Sequence, residues 1–147
     1  MARYVTSVST PLSAADAFAY MADVTHFAEW DPGVKRVVRV AGAGAGVGAA
    51  YDLTVQAGGT TVMRYEVTEY EPPRRILLVA RTSFLTSVDE VRVEASGSGC
   101  IVTYDAKLTL NGPLCLFDPL LRLAFRSIGN RAAAGLKRVL SGKAAAR

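Results

Sequence analysis

The sequence predicts an α+β domain in which a seven-stranded antiparallel sheet packs on a long C-terminal helix, with two short helices after the first strand. Three observations predict this class. Seven segments have the alternation or residue content of strands, their connections are short and rich in Gly or Pro, and the last segment has helical periodicity. Since 147 residues, half of them apolar, suit one core, residues 1–147 are expected to form a single domain.

The first strand and the two short helices occupy the N-terminal segment. Residues 2–10 alternate between two faces, as in a strand. Ser13 then suits a helix N-cap, and Asp16 suits the first helical turn. The second short helix is expected to end near Trp30, because Pro32 removes a backbone donor and disfavours helical structure before it.

Six further segments have strand character. They are residues 34–42, 48–56, 60–71, 75–82, 86–95 and 100–110. The sequences AGAGAGV, AGG, EPPR and SGSG separate them and are typical of turns. Such short connections favour an antiparallel meander, and the glycine-rich loop lacks the following helix that a phosphate-binding loop requires.

A long amphipathic helix is predicted over residues 114–140. Its apolar stripe contains Phe117, Leu121, Phe125, Ile128, Ala132, Leu136 and Val139. Asp118 followed by Pro119 predicts either a kink or a helix start near residue 118. Leu116, Leu120 and Leu123 lie off this stripe and suit a dimer surface or a cavity lid, so a monomer and a homodimer both stay open.

Composition excludes several classes of protein. The N-terminus alternates instead of forming an apolar block, and the Gly-Ala-rich residues 40–51 would not span a bilayer as a helix, so a cytoplasmic protein is expected. Cys100 and Cys115 lie in apolar surroundings without a CxxC motif, and the chain has one histidine. They are expected to be buried free thiols, with no metal and no cofactor.

The C-terminal segment is basic, in a chain of formal net charge +4. No acidic residue follows Asp118, whereas the segment contains Arg122, Arg126, Arg131, Lys137, Arg138, Lys143 and Arg147. This pattern fits the solvated back of a packed helix or peripheral contact with anionic lipid. No aromatic residue interleaves on that face, which argues against nucleic acid.

Four segments carry a resemblance to a known family. In chain order they are STPLSAADAFAYMADVTHFAEWDPGV, GAGVGAAYDL, YEVTEYEPPRRILL and AAAGLKRVL. Together they resemble the polyketide cyclase/dehydrase branch of the START/SRPBCC superfamily over essentially the whole chain. The resemblance implies the helix-grip fold, in which a curved sheet wraps around the long helix and encloses a cavity. This fold carries lipid transfer, hormone and pigment binding and cyclisation, so it does not select among them.

Strand parity predicts an apolar inner face with tyrosine hydroxyls. With the resemblance, the predicted ligand-binding residues are Trp30, Tyr51, Met63, Tyr65, Asp89, Tyr104, Phe117, Leu121 and Phe125. For Trp30, two interpretations stay open, a plug in the core or a ring that contacts the ligand.

Two carboxylates, Glu69 and Asp89, share the parity of the inner face. An inward carboxylate must be paired, hydrogen-bonded or neutralised, and it can bind a ligand or act as a general acid or base. The alternatives are strand ends open to solvent or a β-bulge that reverses parity. His26 lacks a nucleophile motif around it and is expected to be an ordinary surface residue.

The sequence therefore favours a protein that binds a hydrophobic small molecule such as a lipid, a polyketide or an isoprenoid. A cyclase or dehydratase that uses Asp89 with Tyr65 or Tyr104 is the alternative. Membrane-surface association through the basic helix is a further one.

Overall fold

The computed structural model describes residues 1–42, 44, 46–56 and 59–145. The strands are β1 (Ala2–Thr10), β2 (Val34–Ala41), β3 (Ala50–Gln56), β4 (Thr60–Glu71), β5 (Arg75–Arg81), β6 (Leu85–Ser96) and β7 (Gly99–Leu110). The helices are α1 (Ala14–Ala22), α2 (Phe27–Trp30) and α3 (Asp118–Ala145), with 3-10 segments at Val24–His26 and Gly112–Phe117.

One antiparallel sheet contains all seven of these strands, in the order β1-β7-β6-β5-β4-β3-β2. Strands β2 to β7 form a meander, and β1 pairs along its whole length with β7, from Ala2 opposite Leu108 to Thr10 opposite Cys100. The predicted α+β helix-grip fold is confirmed, and the strand bounds agree with the predicted ones to within about two residues. Parts of the predicted loops, Ala43, Ala45, Ala57 and Gly58, lie outside the described residues, as do Arg147 and the side chain of Lys143.

The short helices form where the local sequence predicts them. Ser13 Oγ accepts a hydrogen bond from the backbone N–H of Asp16 at 3.2 Å, which caps α1. After α2 the backbone becomes extended at Asp31, whose side chain accepts from the N–H of Gly33 at 2.9 Å. This turn leads the chain into β2.

Helix α3 packs closely on α2 and β1. A Cβ atom added at Gly135 would lie 1.8 Å from the carbonyl oxygen of Trp30, and one added at Gly129 would lie 2.3 Å from the ring of Tyr4. Ala132, Leu136 and Leu140 are buried in the core around this contact. The small residues therefore allow the C-terminal half of α3 to approach the rest of the domain.

The predicted helix over residues 114–140 begins only at Asp118, after a 3-10 segment, and the chain around this start is less buried than the predicted apolar stripe requires. Phe117 is 56% exposed, and Leu116, Leu120 and Leu123 are 80%, 66% and 74% exposed. The start of the helix lies beside Met1, whose terminal amine contacts Asp118 and whose carbonyl oxygen accepts from Arg122 at 3.0 Å. The N-terminal residue thus gives the start of α3 polar contacts, while the side chains of Leu116, Phe117, Leu120 and Leu123 stay exposed as an apolar patch.

Two predicted positions differ in the structure. Glu69 does not point inward, because a β-bulge between Val67 and Glu69 shifts the register of β4 against β5. Its carboxylate is instead exposed and pairs with Arg75 at 3.0 Å. Cys115 is exposed, since it lies in the 3-10 segment Gly112–Phe117, none of whose residues is buried, whereas Cys100 is buried in the core.

Candidate functional site

A cavity of about 200 Å³ lies between the inner face of the sheet and α3. Its apolar wall includes Leu53, Met63, Leu85, Ala106, Phe125 and Ile128. Its polar side chains are Asp31, Thr61, Tyr65, Ser87, Asp89 and Tyr104. It is smaller than the roughly 300–1,000 Å³ typical of ligand pockets, so it suits a small ligand.

The polar side chains of β4, β6 and β7 form one hydrogen-bonded network. Tyr65 donates to Ser87 Oγ at 2.9 Å, and Ser87 donates to Asp89 Oδ1 at 3.0 Å. Tyr104 donates to Asp89 Oδ2 at 2.5 Å. Asp89 is therefore the terminal acceptor of two hydroxyl chains at the cavity wall.

Strand register explains how this network forms. Ser87 and Asp89 are two residues apart on β6 and so share its inner face. Ala80 lies between Tyr65 and Ser87 in the sheet, and Ala106 lies opposite Asp89. We infer that these small side chains leave room for the tyrosine hydroxyls to reach the residues of β6.

Burial sets the electrostatics of the cavity. Asp89 is 6% exposed, and burial raises its pKa to about 6 against the opposing effect of the hydrogen bonds from Tyr104 and Ser87. Burial also raises the pKa of Asp31, although the Gly33 N–H acts in the opposite direction. Burial, followed by the charge of Asp89, raises the pKa of Tyr65 and of Tyr104, so both phenols remain neutral donors at physiological pH.

Five of the predicted ligand-binding residues line the cavity. They are Met63, Tyr65, Asp89, Tyr104 and Phe125. The structure therefore brings together the three side chains predicted as candidates for acid–base chemistry, while their roles stay predictions.

The other four predicted residues, Trp30, Tyr51, Phe117 and Leu121, do not line it. Tyr51 is buried with the guanidinium of Arg39 over its ring at 5.6 Å. Leu121 lies on the less buried first turn of α3, and Phe117 is exposed at the end of the 3-10 segment before that helix. Parity predicts the buried face of Tyr51 correctly, whereas helical period wrongly predicts Phe117 as part of a buried stripe. Neither pattern predicts where along a face the cavity lies.

Trp30 is buried in the core. It is 1% exposed and packs against Phe27 and Tyr104, with ring centroids 4.9 and 5.1 Å away, while Gly135 of α3 lies against its backbone. Its indole N–H is buried without a hydrogen-bond partner in the described part of the chain. The indole ring does not line the cavity itself, but it contacts Phe27 and Tyr104, which do.

Sequence reasoning missed Asp31 and Ser87. Ser87 carried a usable signal, because it has the parity of Asp89 two residues earlier in the same strand. The signal at Asp31 was weaker: it precedes the Pro32-Gly33 turn, and an Asp side chain in this position often accepts a hydrogen bond from a nearby backbone N–H. What directs it toward the cavity is the position of α2, which the turn alone does not reveal.

The remaining polar candidates lie away from the cavity wall. His26 stacks on Tyr20 with ring centroids 4.4 Å apart, and its Nδ1 lies 2.9 Å from the Tyr20 carbonyl oxygen, so it stabilises the helix junction. The side chains of Arg122, Arg126 and Lys137 are exposed on α3. Across the described ranges, no three His, Cys, Asp or Glu side chains are placed to hold a metal ion, and no helix is long and apolar enough to cross a membrane.

Residues 1–141 match the family model described as polyketide cyclase / dehydrase and lipid transport. No curated protein sequence matches the chain significantly.

Several solved structures share the fold. A START superfamily protein from Mycobacterium smegmatis superposes with a TM-score of 0.76 at 14% identity, covering 94% of this chain and 96% of that one. The Zhui aromatase/cyclase from Streptomyces sp. R1128 has a TM-score of 0.71 at 15% identity, covering 97% and 92%. The di-domain ARO/CYC StfQ from the steffimycin biosynthetic pathway has a TM-score of 0.75 at 15% identity, covering 99% of this chain and 51% of that protein.

Proposed function

Because the chain belongs to the family described as polyketide cyclase / dehydrase and lipid transport, we propose that it binds a hydrophobic small molecule in the cavity between the sheet and α3. The observation that carries this proposal is an apolar cavity of about 200 Å³ with a hydrogen-bonded carboxylate in its wall. Such a combination holds an apolar body by burial and orients it through a few polar groups.

The buried Asp89 carboxylate is explained better by a role in a functional site than by a contribution to folding stability. A buried acid without a cation costs stability, and perturbed acids of this kind cluster at functional sites. A cavity of about 200 Å³ suits a small ring system or a short isoprenoid as the ligand, because a long acyl chain is too large for that volume.

Cavity filling tests the proposal. We expect Phe125→Trp to weaken, by at least tenfold, the binding of naphthalene derivatives with neutral, basic or acidic side arms, measured by titration calorimetry. Leu123→Trp is the matched control, because Leu123 lies on the same helix but is 74% exposed and not part of the cavity wall. Failure of every derivative to bind the unmodified protein would refute the proposal.

A second candidate function is acid–base catalysis in the same cavity, as in a cyclase or dehydratase. The observation that favours it is the buried Asp89 carboxylate, which lines the cavity next to the hydroxyls of Ser87 and Tyr104. Burial raises its pKa to about 6, toward the range that suits a general base at neutral pH. In a short poly-β-ketone that fits the cavity, Asp89 would take the proton from the carbon between two ketones, and this carbon would attack a second carbonyl. The hydroxyl of Tyr65 or Tyr104 would turn from its present acceptor to that carbonyl oxygen and give it a proton, and Asp89 would return its proton to the phenolate, directly for Tyr104 or through Ser87 for Tyr65. Under this candidate, Asp89→Asn abolishes turnover of the poly-β-ketone but preserves the affinity of neutral apolar ligands.

Peripheral contact with an anionic membrane is a further role that we propose for the start of α3. Leu116, Leu120 and Leu123 are exposed there, and Arg122 and Arg126 are exposed on the same turns. Apolar side chains beside basic ones are what a helix at a lipid surface requires.

A further inference from the structure

The cavity is acidic, and no cation balances it. Asp31 and Asp89 both line it, and its described lining residues include no Arg, Lys or His. Elsewhere, several carboxylates are paired: Asp105 with Arg3 at 2.7 Å, Asp52 with Arg64 at 2.7 Å and Glu69 with Arg75 at 3.0 Å. Asp31 and Asp89 differ from these carboxylates because no basic side chain lies beside them in the described lining of the cavity.

Charge in an apolar cavity decides which ligand end group it accepts. A ligand carboxylate would bring a third negative charge close to two others, where the low dielectric strengthens repulsion. A protonated amine would instead supply the missing counter-charge and donate up to three hydrogen bonds.

We propose that the natural ligand of this cavity is a small apolar amine, bound through its ammonium group between Asp31 and Asp89. This proposal rests on the proposed function and names the chemical class of its ligand. It excludes fatty acids and other carboxylate ligands as good occupants of the cavity.

The acceptor geometry supports an ammonium. Each oxygen of Asp89 accepts one hydroxyl hydrogen bond, which leaves further lone-pair positions on both. Asp31 accepts from the Gly33 N–H through Oδ1, and among the described residues no hydrogen bond goes to its Oδ2. Tyr104 and Ser87 donate their hydroxyl hydrogens to Asp89, and Tyr65 donates its own to Ser87. The unused hydrogen-bonding positions of the network are therefore acceptor lone pairs, which a ligand can use only if it is a donor.

The apolar wall determines the size of the amine. Met63, Leu85, Phe125 and Ile128 surround a space of about 200 Å³, which suits two fused aromatic rings with a short arm. Three probes of similar shape separate the effect of charge from that of shape. They are the cationic 2-(1-naphthyl)ethylamine (the amine), the neutral 2-(1-naphthyl)ethanol (the alcohol) and the anionic 1-naphthaleneacetate (the acetate).

Titration calorimetry at pH 8 tests the proposal. We expect the amine to bind at least tenfold more tightly than the alcohol, and the acetate to bind more weakly than the alcohol. In Asp89→Asn the amine should lose at least tenfold in affinity, while that of the alcohol changes less than threefold. Asp31→Asn is the second variant, with the same direction of change, in case Asp89→Asn does not fold.

Asp52→Asn is the control for net charge. It removes the same charge from the outer face of the sheet, where Asp52 pairs with Arg64, and should leave the affinity of the amine unchanged. An equal loss in Asp52→Asn would mean that the net charge of the protein, and not the cavity, attracts the amine, and would overturn the proposal.

The pH dependence supplies an independent readout. The groups that face Asp89 are Tyr65 on β4, Tyr104 on β7 and Asp31 after α2, with Asp105 acting from the outer face of β7. The tyrosines stay neutral, and a carboxyl of pKa about 6 is only about one-tenth ionised at pH 5. The amine should therefore bind about tenfold more weakly at pH 5 than at pH 8, whereas the alcohol should bind equally well at both.

The outcomes distinguish this inference from the proposed function. If the alcohol or the acetate binds as tightly as the amine, the cavity is still a binding site but the ligand class is wrong. If none of the three probes binds, the proposed function itself fails. Only a preference for the amine that depends on Asp89 or Asp31 supports the inference.

Discussion

Asp89 and Asp105 lie on adjacent strands and are both buried, yet burial has opposite consequences for them. Asp105 is 3% exposed on the outer face, where its hydrogen bond to Arg3 holds its pKa below the usual value. Asp89 is 6% exposed on the inner face, where hydroxyl groups are its partners and desolvation raises its pKa to about 6. The difference comes from the partner, a guanidinium in one case and neutral hydroxyls in the other.

Replacing Asp89 is expected to stabilise the protein at pH 8. Its folded pKa of about 6 lies above the unfolded value of about 3.9, so the folded state binds more protons between these values and stability falls as pH rises through that range. The full cost, about 3 kcal/mol, is present above pH 6 and absent below about pH 4. Asp89→Asn should therefore raise the free energy of unfolding by about 1–3 kcal/mol at pH 8, measured by urea denaturation.

Asp105→Asn is the matched variant with the opposite sign. Its lowered pKa means that Asp105 contributes stability above the unfolded pKa, and that this contribution is lost as pH falls. We expect this variant to lose about 1–3 kcal/mol at pH 8 and to approach the unmodified protein below about pH 4. A destabilised Asp89→Asn at pH 8 would contradict the assignment of Asp89 as an uncompensated charge.

At the scale of elements, two glycines of α3 allow its close approach to the rest of the domain. Gly135 lets the helix backbone touch that of Trp30, and Gly129 lets it pack on the ring of Tyr4. This approach places the buried half of α3 against α2 and β1, and sets Phe125 and Ile128 at the cavity wall.

Gly135→Ala is expected to destabilise the protein, although alanine is the better helix former. Its Cβ would lie 1.8 Å from the Trp30 carbonyl oxygen, a backbone atom that cannot move without moving α2. The overpacking should cost about 1–3 kcal/mol, measured by thermal unfolding. Because Trp30 is the only tryptophan, its emission should change as well.

Gly142→Ala is the control within the same helix. Nothing lies within 4 Å of a Cβ added at Gly142, so only helix propensity changes, and this variant should gain up to about 1 kcal/mol. Equal effects of the two substitutions would show that the contact between α3 and α2 is not as close as described.

At the scale of the whole molecule, several of the most exposed apolar side chains lie at or just before the start of α3. Leu116, Phe117, Leu120 and Leu123 at the start of α3 are exposed, and so is Phe84, whose carbonyl oxygen accepts from the N–H of Asn111 just before the helix. These residues adjoin Leu85 and Phe125 in the sequence, and both of those line the cavity. The arrangement would present the cavity end of the protein to a lipid surface.

Vesicle binding tests this contact. We expect sedimentation with vesicles that contain phosphatidylserine, weaker sedimentation with purely zwitterionic vesicles, and a decrease with salt, because screening acts over about 10 Å at 0.1 M. Leu120→Ser combined with Leu123→Ser should reduce binding to phosphatidylserine vesicles at least fivefold. Val62→Ser, which removes a 58% exposed apolar side chain from β4, should not. Equal binding by all three proteins would exclude this patch as the contact surface.

The sequence by itself determined the order of the elements and the antiparallel sheet, and it left a kink or a helix start near Asp118 open. Alternation, turn residues and helical period are local properties, and they persist in the folded chain because each face of an element must be buried or solvated as a unit. Parity likewise predicted that Met63, Tyr65, Asp89 and Tyr104 share one face, as the structure shows.

Only the tertiary structure decided what each inward residue contacts. A single bulge turned Glu69 outward, the position of α2 brought Asp31 to the cavity, and the close approach of α3 enclosed Trp30 in the core. Likewise, strand register across β4, β5 and β6 joined Tyr65 to Ser87, although 22 positions separate them in the chain. These contacts depend on register and on helix placement, which arise from packing between distant segments and leave little trace in any one of them.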